Sequence, residues 1–350
     1  MSTRTSPPPD GARYSRRHLA AVTLAGLAAP FLGRSTGVEA AGLQLGVRTS
    51  SFRGVVPAQG RDAVDAVIDA MLACGVRQCD LSASSIEPFG QPPARPHAAS
   101  RMQTAAMRHD AVPRTGAATE AGEPAVPAGR MATTPSMSQM MRRELRKWRL
   151  RTPLAHFSVM AGRFRKAGIG IESYGYNPDQ SFSNEEIDRG FAMARALGAT
   201  ALTSTVTIDV ASRLARFAGG HQMSVALDLV APTPDGPRAA ATADMLGALE
   251  LSPFFRLAVD IGQFTTAGID PVTFLREHRR QVSAIRLTDC RRNGSVSEWG
   301  HGDAPIREVL QLLDREQWRV HTYVDCSSGG ERSTVEEVKR CIAYARQVLV

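Results

Sequence analysis

Short apolar segments alternate along the chain with longer segments in which apolar side chains recur every three or four residues. In residues 61–74, for example, Val64, Val67 and Met71 fall on one face of a helix. The short apolar segments predict eight strands, at residues 43–49, 76–81, 168–174, 201–206, 224–230, 256–261, 282–288 and 320–325. Helices are predicted between or after them, at residues 61–74, 141–148, 153–167, 183–197, 210–218, 245–249, 271–278, 306–315 and 334–348.

This regular alternation favours parallel strands closed into a (β/α)8 TIM barrel. An open, doubly wound sheet is the alternative, but no G-x-G-x-x-G motif follows the first strand, so its nucleotide-binding form loses support. The helix that begins after Ser183 carries Glu186 at the position of a capping box, and Gly198 marks its end.

Two segments fall outside the alternation. Residues 1–41 contain the pair Arg16-Arg17, then an apolar run at 20–32 and then small residues, which is the order of a twin-arginine signal peptide. The run is shorter than the ~20 residues that a membrane span needs. We therefore expect export by the Tat translocon to the periplasm or another extracytoplasmic site, with no integral membrane span in the mature chain; a basic tail is the alternative.

The second segment, residues 88–140, is rich in Pro, Ala, Thr, Ser and Gly and has no apolar period. It predicts a disordered insertion after the second strand, and a lid over a site is the alternative. The predicted domain organisation is a signal peptide at 1–41 and a barrel at 42–350 that carries this insertion.

The composition, with 43% hydrophobic and 22% charged residues among 350, is that of a soluble globular protein. The net charge of +8 comes from arginine, because lysine occurs only at Lys147, Lys166 and Lys339. The arginines are scattered rather than aligned on one face, so nucleic acid is not expected as a partner. The odd number of cysteines, 5 without a C-x-x-C pair, leaves at least one thiol unpaired, and we expect these side chains to act as small buried apolar residues.

Carboxylates stand at the ends of most predicted strands. In a barrel these strand ends meet at one mouth, where carboxylates suit a hard divalent cation such as Mg²⁺ or Mn²⁺. The alternative is that each aspartate caps a helix or a turn. The acids at strand ends are Asp80, Asp228, Asp260, Asp289 and Asp325, and Glu172 lies within the third strand.

Several blocks of sequence carry a resemblance to a known family. They are residues 260–271 (DIGQFTTAGIDP), 285–289 (IRLTD) and 299–306 (WGHGDAPI). In this order they resemble the sugar phosphate isomerase/epimerase family of xylose isomerase-like TIM barrels. Residues 45–53 (LGVRTSSFR), 144–154 (ELRKWRLRTPL) and 184–191 (NEEIDRGF) are similar to its exported bacterial branch.

The resemblance implies isomerisation or epimerisation of a sugar or polyol, by proton transfer between adjacent carbons and often with an enediolate held on Mn²⁺ or Mg²⁺. The candidate metal ligands are Asp228, Asp260 and Asp325. The candidate catalytic residues are Glu172 or Asp325 as the base and Arg286 for a substrate oxyanion. The candidate substrate-binding residues are Gln263, Asp289, Trp299 and His301; packing of the Trp299 ring on its own helix is the alternative.

Several of these positions depart from the family pattern. Arg286 stands where the family has a histidine ligand, and a guanidinium has no lone pair for a metal. Gln263 replaces a further histidine, and Asp325 is one methylene shorter than the expected Glu. Arg286 would instead form ion pairs with Asp260 and Asp325, so the site would hold no metal.

Three hypotheses therefore compete. The first is an exported, metal-assisted sugar isomerase or epimerase. The second is a degenerate barrel that binds a carbohydrate or another small ligand without metal or turnover. The third is nucleic-acid repair, since apurinic endonucleases share the barrel, and the export signal and the lack of a histidine-rich metal cluster count against it.

Overall fold

The strands of this chain form a closed barrel. The computed structural model describes residues 39–40, 43–88, 137–229, 238–295, 297–326 and 335–349. Eight parallel strands follow one another in chain order, and the first of them also pairs with the last. An additional two-residue strand pairs antiparallel with the start of the first barrel strand. The strands are β1 (Glu39–Ala40), β2 (Leu43–Arg48), β3 (Gln78–Ser82), β4 (Gly170–Gly175), β5 (Ala201–Val206), β6 (Ser224–Leu229), β7 (Phe255–Asp260), β8 (Val282–Leu287) and β9 (His321–Val324).

Helices connect the barrel strands and surround them. Single-turn 3-10 helices at Thr49–Phe52 and Ala83–Ser85 follow β2 and β3. The α-helices are α1 (Ala63–Ala73), α2 (Met137–Arg151), α3 (Leu154–Lys166), α4 (Asn184–Leu197), α5 (Ile208–His221), α6 (Arg238–Glu250), α7 (Ile261–Ala267), α8 (Pro271–Glu277), α9 (Ile306–Arg315) and α10 (Val335–Val348).

The predicted (β/α)8 barrel is confirmed, with the eight barrel strands in the predicted order. The capping box is also present: Ser183 accepts from the Glu186 amide, Glu186 accepts from the Ser183 amide, and Gly198 ends α4 at a φ of 77°. Its positive φ is the conformation that glycine adopts without steric cost.

Several elements differ from the prediction. The predicted insertion at 88–140 is wrong at its end, because α2 begins at Met137; no Pro or Gly lies between Pro135 and Pro153, so the helix extends that far. Helix α7 was not predicted because it follows β7 without a loop and, unlike the equally short α8, has no proline at its first position. Strand β1 lies inside the predicted signal peptide, whose residues 1–38 and 41 are outside the described part of the chain, as are residues 89–136 of the insertion.

The interior of the barrel contains a small apolar layer. Ala226, Ala258, Ala284 and Tyr323 are buried against one another there. Gly46 lies in register with Tyr323 on the neighbouring strand, and a Cβ at that position would stand 2.8 Å from the Tyr323 ring. The glycine therefore leaves room for the ring, which together with the alanines closes the barrel below the strand ends.

Two cysteines depart from the expected role. Cys326, after β9, and Cys341, on α10, form a disulfide. Cys74, Cys79 and Cys290 are unpaired and buried, as expected of small apolar side chains. The pair was not predicted because spacing along the chain does not show which residues the barrel brings together.

Candidate active site

A polar layer lies directly above the apolar one, toward the carboxyl ends of the strands. Side chains on one face of a strand recur every second residue. Each member of the polar layer accordingly follows a member of the apolar layer by two positions, and all of them are buried. The members are Asp228 on β6, Asp260 on β7, Arg286 on β8 and Asp325 just after β9.

Arg286 reaches across the interior of the barrel to Asp228. Its Nη1 donates to Asp228 Oδ2 at 2.7 Å and to Thr205 Oγ1 at 3.1 Å. Strand β7 lies between the strands that carry the two partners. Gln263 Nε2 donates to the same Asp228 oxygen at 3.2 Å, so this predicted substrate-binding residue also belongs to the polar layer.

The predicted ion pairs of Arg286 with Asp260 and Asp325 are wrong. Among the described residues, the ion-pair partner of Arg286 is Asp228, because Asp260 is turned toward α7 and Asp325 is paired with Arg48. Within the same part of the chain, Nε and Nη2 of Arg286 are buried and have no hydrogen-bond partner. The guanidinium therefore depends on a single carboxylate for its charge compensation.

Asp260 has a different environment from the other acids. Its Oδ1 accepts from the amides of Gly262 and Gln263 at 3.0 and 3.2 Å and so caps α7, which agrees with the capping alternative. Burial, with the nearby Asp228 carboxylate adding to it, raises the pKa of Asp260 to about 6, although Arg286 acts in the opposite direction. The carboxyl of Asp260 is therefore held closer to neutral pH than that of an ordinary aspartate.

Arg48, at the end of β2, pairs with two acids that sequence analysis had singled out. Its Nη1 donates to Asp325 Oδ2 at 3.1 Å, and its Nε lies 3.4 Å from Asp80 Oδ2. Burial alone would lower the pKa of Arg48, but the Asp325 and Asp80 carboxylates outweigh it and raise the pKa above its ordinary value. Sequence analysis missed Arg48, although it stands at the end of the first predicted strand in the same way as the acids end theirs.

Asp80 is fully buried and has hydrogen-bond donors on the next two strands. Its Oδ1 accepts from Ser173 Oγ at 2.9 Å and from Thr203 Oγ1 at 2.7 Å. Ser173 Oγ also lies 3.3 Å from the Tyr323 hydroxyl. Through Asp80, polar contacts continue around the barrel from Arg48 on β2 to Thr203 on β5.

Glu172, the candidate base, is not brought to the mouth. It lies in the first half of β4, and its Oε1 folds back toward the start of the strand: a Cβ added to Gly170 would stand 2.7 Å from it. The adjacent Ser173, rather than Glu172, contacts Asp80. Glu172 is therefore not among the acids that the barrel brings together at the mouth, because it lies within the strand and not at its carboxyl end.

Asp289 anchors the loop that follows β8. Its Oδ2 accepts from the amides of Gly300 and Gly302 at 2.7 and 3.1 Å. A Cβ at Gly302 would overlap Asp289 Oδ1. The loop backbone thus packs closely around the Asp289 carboxylate. The contacts that the structure gives Asp289 are therefore structural ones to this loop, and not contacts at the mouth.

Trp299 and His301, the other two predicted substrate-binding residues of this loop, flank Gly300. Trp299 is partly buried and its ring packs edge-on against Tyr344 of α10, with 6.3 Å between the centroids. His301 is exposed, and its amide donates to the Glu298 carbonyl. Within the described ranges, neither side chain makes a hydrogen bond or an ion pair with the acids of the polar layer, and the Trp299 ring packs on α10.

The predicted metal ligands are each engaged by protein donors. Asp228 Oδ2 accepts from Arg286, Thr205 and Gln263, whereas Asp325 accepts from Arg48 and Ser51. Over the described residues, no group of three or more His, Cys, Asp or Glu side chains is arranged to hold a metal ion. With two guanidiniums among the acids, this donor set does not fit a divalent cation.

Comparison with known proteins supports the fold. No protein-family model matches the sequence, and no curated protein matches it either. The structure is similar to that of an L-ribulose 3-epimerase, with a TM-score of 0.53 and 11% identity over 88% of this chain and 94% of that one. It is also similar to a 3-keto-D-glucoside 4-epimerase from E. coli, with a TM-score of 0.52 and 8% identity over 87% of this chain and 99% of the other.

A third similar structure is a sugar phosphate isomerase/epimerase from Parabacteroides distasonis ATCC 8503. Its TM-score is 0.50 at 13% identity, over 89% of this chain and 96% of that one. At these identities the likeness concerns the fold alone, which is that of the xylose isomerase-like TIM barrels, as the sequence blocks predicted. Within the described residues, no helix has the length and apolar character that crossing a membrane requires.

Proposed function

We propose that this chain, a xylose isomerase-like barrel by its fold, binds a sugar or polyol at the mouth and moves a proton between adjacent carbons without a metal. Asp260 is the acid and base of this reaction. Asp325 accepts a hydrogen bond from a sugar hydroxyl. The Arg286 guanidinium of the polar layer supplies the positive charge that a cation would supply elsewhere.

The observation that carries the proposal is the state of Asp260. One of its oxygens is held by the first turn of α7, and the pKa of its carboxyl is raised to about 6. A general base works best when its pKa lies near the working pH. Asp228 and Asp325 instead have their charges compensated by Arg286 and Arg48.

The proposed step is a balanced proton transfer. The Asp260 carboxylate takes the proton from the carbon next to the carbonyl of a keto sugar, and the electron pair of the broken C–H bond forms the enediolate. After a proton has passed between the two oxygens of the enediolate, the protonated Asp260 returns its proton to the adjacent carbon, on the face from which it was taken. No oxidant or co-reactant is needed.

Solvent exchange tests this proposal without requiring that the product be known. The chain is incubated in D₂O with a panel of ketoses and aldoses, and NMR follows deuterium incorporation next to the carbonyl. We expect exchange that EDTA leaves unchanged and that Asp260→Asn abolishes, while Asp270→Asn, at the cap of α8, leaves it intact. Exchange that EDTA abolishes, or that Asp260→Asn retains, would contradict the mechanism.

The second candidate is carbohydrate binding without turnover. It is favoured by the engagement of Asp228 and Asp325 by arginines, since neither carboxylate is free to act as a second base. Calorimetry separates the two: a sugar that binds the wild-type chain but exchanges no proton in D₂O supports binding alone.

The exported location is a separate proposal, which rests on residues 1–41. Replacement of Arg16 and Arg17 by lysine is expected to retain the chain in the cytoplasm of a bacterium with a Tat translocon, because the arginine pair is the feature that the translocon reads. Cell fractionation measures the outcome, and export of the double-lysine variant would contradict it.

A further inference from the structure

Arg48 joins three neighbouring strands at the seam where the barrel closes. It stands at the end of β2, in register with Asp80 on β3, and its Nη1 donates to Asp325 after β9. Strand β2 pairs with β9 on one side and with β3 on the other. One side chain therefore contacts the acids on both flanks of its own strand.

The two acids differ in how firmly other groups hold them. Asp80 is fully buried, and its other oxygen accepts from Ser173 and Thr203. Among the described residues, one further hydrogen bond reaches the Asp325 carboxylate, from Ser51 Oγ at 3.5 Å. Asp80 is thus the more firmly held of the two acids; Arg48 lies 3.4 Å from it and makes the shorter contact, a 3.1 Å hydrogen bond, to Asp325.

The remaining contacts of Ser51 do not replace Arg48. Ser51 Oγ also accepts from the Cys326 amide at 3.0 Å, so it holds the backbone next to Asp325. The Asp325 carboxylate itself is oriented by the Arg48 guanidinium. Within the described residues, Arg48 is the cation in ion-pair contact with either acid.

We propose that Arg48 is a positioning residue at the mouth of the barrel. Its guanidinium is paired with Asp80 and orients the Asp325 carboxylate toward a bound sugar hydroxyl. This inference rests on the proposed function, in which Asp325 accepts that hydroxyl. It adds a residue on β2 to a site otherwise built from β6 to β9. Arg48 acts through Asp325 and makes no contact with substrate of its own.

The test compares Arg48→Gln, which removes the positive charge, with Arg48→Lys, which keeps the charge on a single ammonium group. The control is Arg163→Gln, because Arg163 is also paired with two carboxylates, Asp62 and Asp65, but lies on the outer surface. The affinity for the sugar found in the exchange panel is measured by calorimetry, and the position of the Asp325 carboxylate is determined from crystal structures of the variants.

We expect Arg48→Gln to weaken sugar binding about ten-fold, the effect of losing one charged hydrogen bond. Arg48→Lys is expected to restore the affinity to within about three-fold of wild type, since lysine retains the charge without the two-pronged geometry. Arg163→Gln should leave the affinity unchanged. A loss of melting temperature in Arg48→Gln with unchanged sugar affinity would overturn the proposal, because a purely structural contact behaves that way.

The crystal structures of the variants test the inference without any ligand, because they show the position of the Asp325 carboxylate. If the wild-type chain binds no sugar, the proposed function fails, and the orientation of Asp325 in the Arg48→Gln crystal still tests the inference. A displaced carboxylate supports it and an unmoved one overturns it. If Arg48→Gln does not fold, Arg48→Lys is judged alone: a retained contact to Asp325 supports the inference, and unchanged affinity with a displaced Asp325 overturns it.

Discussion

The Arg286 guanidinium and the Asp228 carboxylate form a buried ion pair that passes over strand β7, with 2.7 Å between Nη1 and Oδ2. Both side chains are almost completely excluded from solvent. A buried charge that loses its partner is strongly destabilising, whereas the intact pair contributes little net stability. Replacing one of the two residues should therefore lower the free energy of unfolding more than replacing both.

Arg286→Met should lower the free energy of unfolding by about 3–5 kcal/mol, because it leaves the Asp228 charge buried and uncompensated. Combining it with Asp228→Asn should recover part of that loss. Urea unfolding measures both variants. Arg163→Met, which breaks a surface ion pair, is the control and should cost no more than about 1 kcal/mol. Equal losses at the two arginines would contradict the prediction.

Asp260→Asn should change how stability depends on pH. The pKa of Asp260 is about 6 in the folded chain against an ordinary 3.8, so the folded state binds the proton more tightly. The contribution of this group to stability is fully present below about pH 4 and is lost as the pH rises through about 6, by roughly 3 kcal/mol. Asparagine stays neutral and caps helices well. We therefore expect the variant to match wild type near pH 4 and to be more stable above pH ~7.

The control for this prediction is Asp270→Asn, which also replaces a helix-capping aspartate. A hydrogen bond from Thr273 lowers the pKa of Asp270, so its contribution is present at neutral pH and is lost as the pH falls through its folded pKa. The two variants should thus deviate from wild type in opposite directions. Thermal melts across pH measure both, and deviations of the same sign would exclude the assigned environment of Asp260.

Divalent metal should not stabilise the chain. A ligand that binds only the folded state adds about 2.7 kcal/mol when it is present at a hundred times its dissociation constant. We expect the melting temperature to be the same with Mn²⁺, with Mg²⁺ and with EDTA, because protein donors engage Asp228 and Asp325. Sodium chloride at matched ionic strength is the control. A rise specific to Mn²⁺ would restore the metal-assisted hypothesis.

Gly302→Ala should destabilise the loop after β8. The added Cβ would overlap Asp289 Oδ1, and relieving that overlap should cost about 1–3 kcal/mol. Gly219→Ala is the matched control, because Gly219 lies within helix α5 and a Cβ there meets nothing within 4 Å. Alanine is the better helix former, so this control should gain up to about 1 kcal/mol. Thermal unfolding compares the two, and a neutral Gly302→Ala would argue against the close wrapping of the loop.

Ligands that carry a negative charge should bind less well than neutral ones. In the described residues of the polar layer, four carboxylates (Asp80, Asp228, Asp260 and Asp325) face two guanidiniums (Arg48 and Arg286). A hexuronate is therefore expected to bind at least about ten-fold more weakly than the corresponding neutral hexose, and added salt should narrow the gap. Calorimetry with the two sugars at low and high salt measures this, and tighter binding of the hexuronate would contradict it.

The fold could be predicted because its signal is repeated and local. Ala201–Val206 and Ile306–Arg315 have the predicted bounds, since each has a clear apolar period and a clear end. The carboxyl-end acids followed from the same pattern, because parallel strands of a barrel end at one mouth.

The pairing within the site could not be predicted in the same way. Which acid Arg286 reaches depends on how far its side chain extends over β7, and Asp260 is turned away because it caps α7, a helix that follows β7 without a loop. Asp289 matched a family block, yet its contacts are set by the backbone of a loop. Chain spacing carries no information on such contacts between strands and loops.

The contact between Arg48 and Asp325 joins residues 277 positions apart. A chain emerging from the ribosome thus contains Arg48 and Asp80 long before the residue that completes their group. Contacts of such long sequence separation form late, after the intervening strands have paired. The polar layer therefore depends on the last strand of the barrel: an amino-terminal fragment that stops before β9 lacks Asp325, even where it contains most of the other strands.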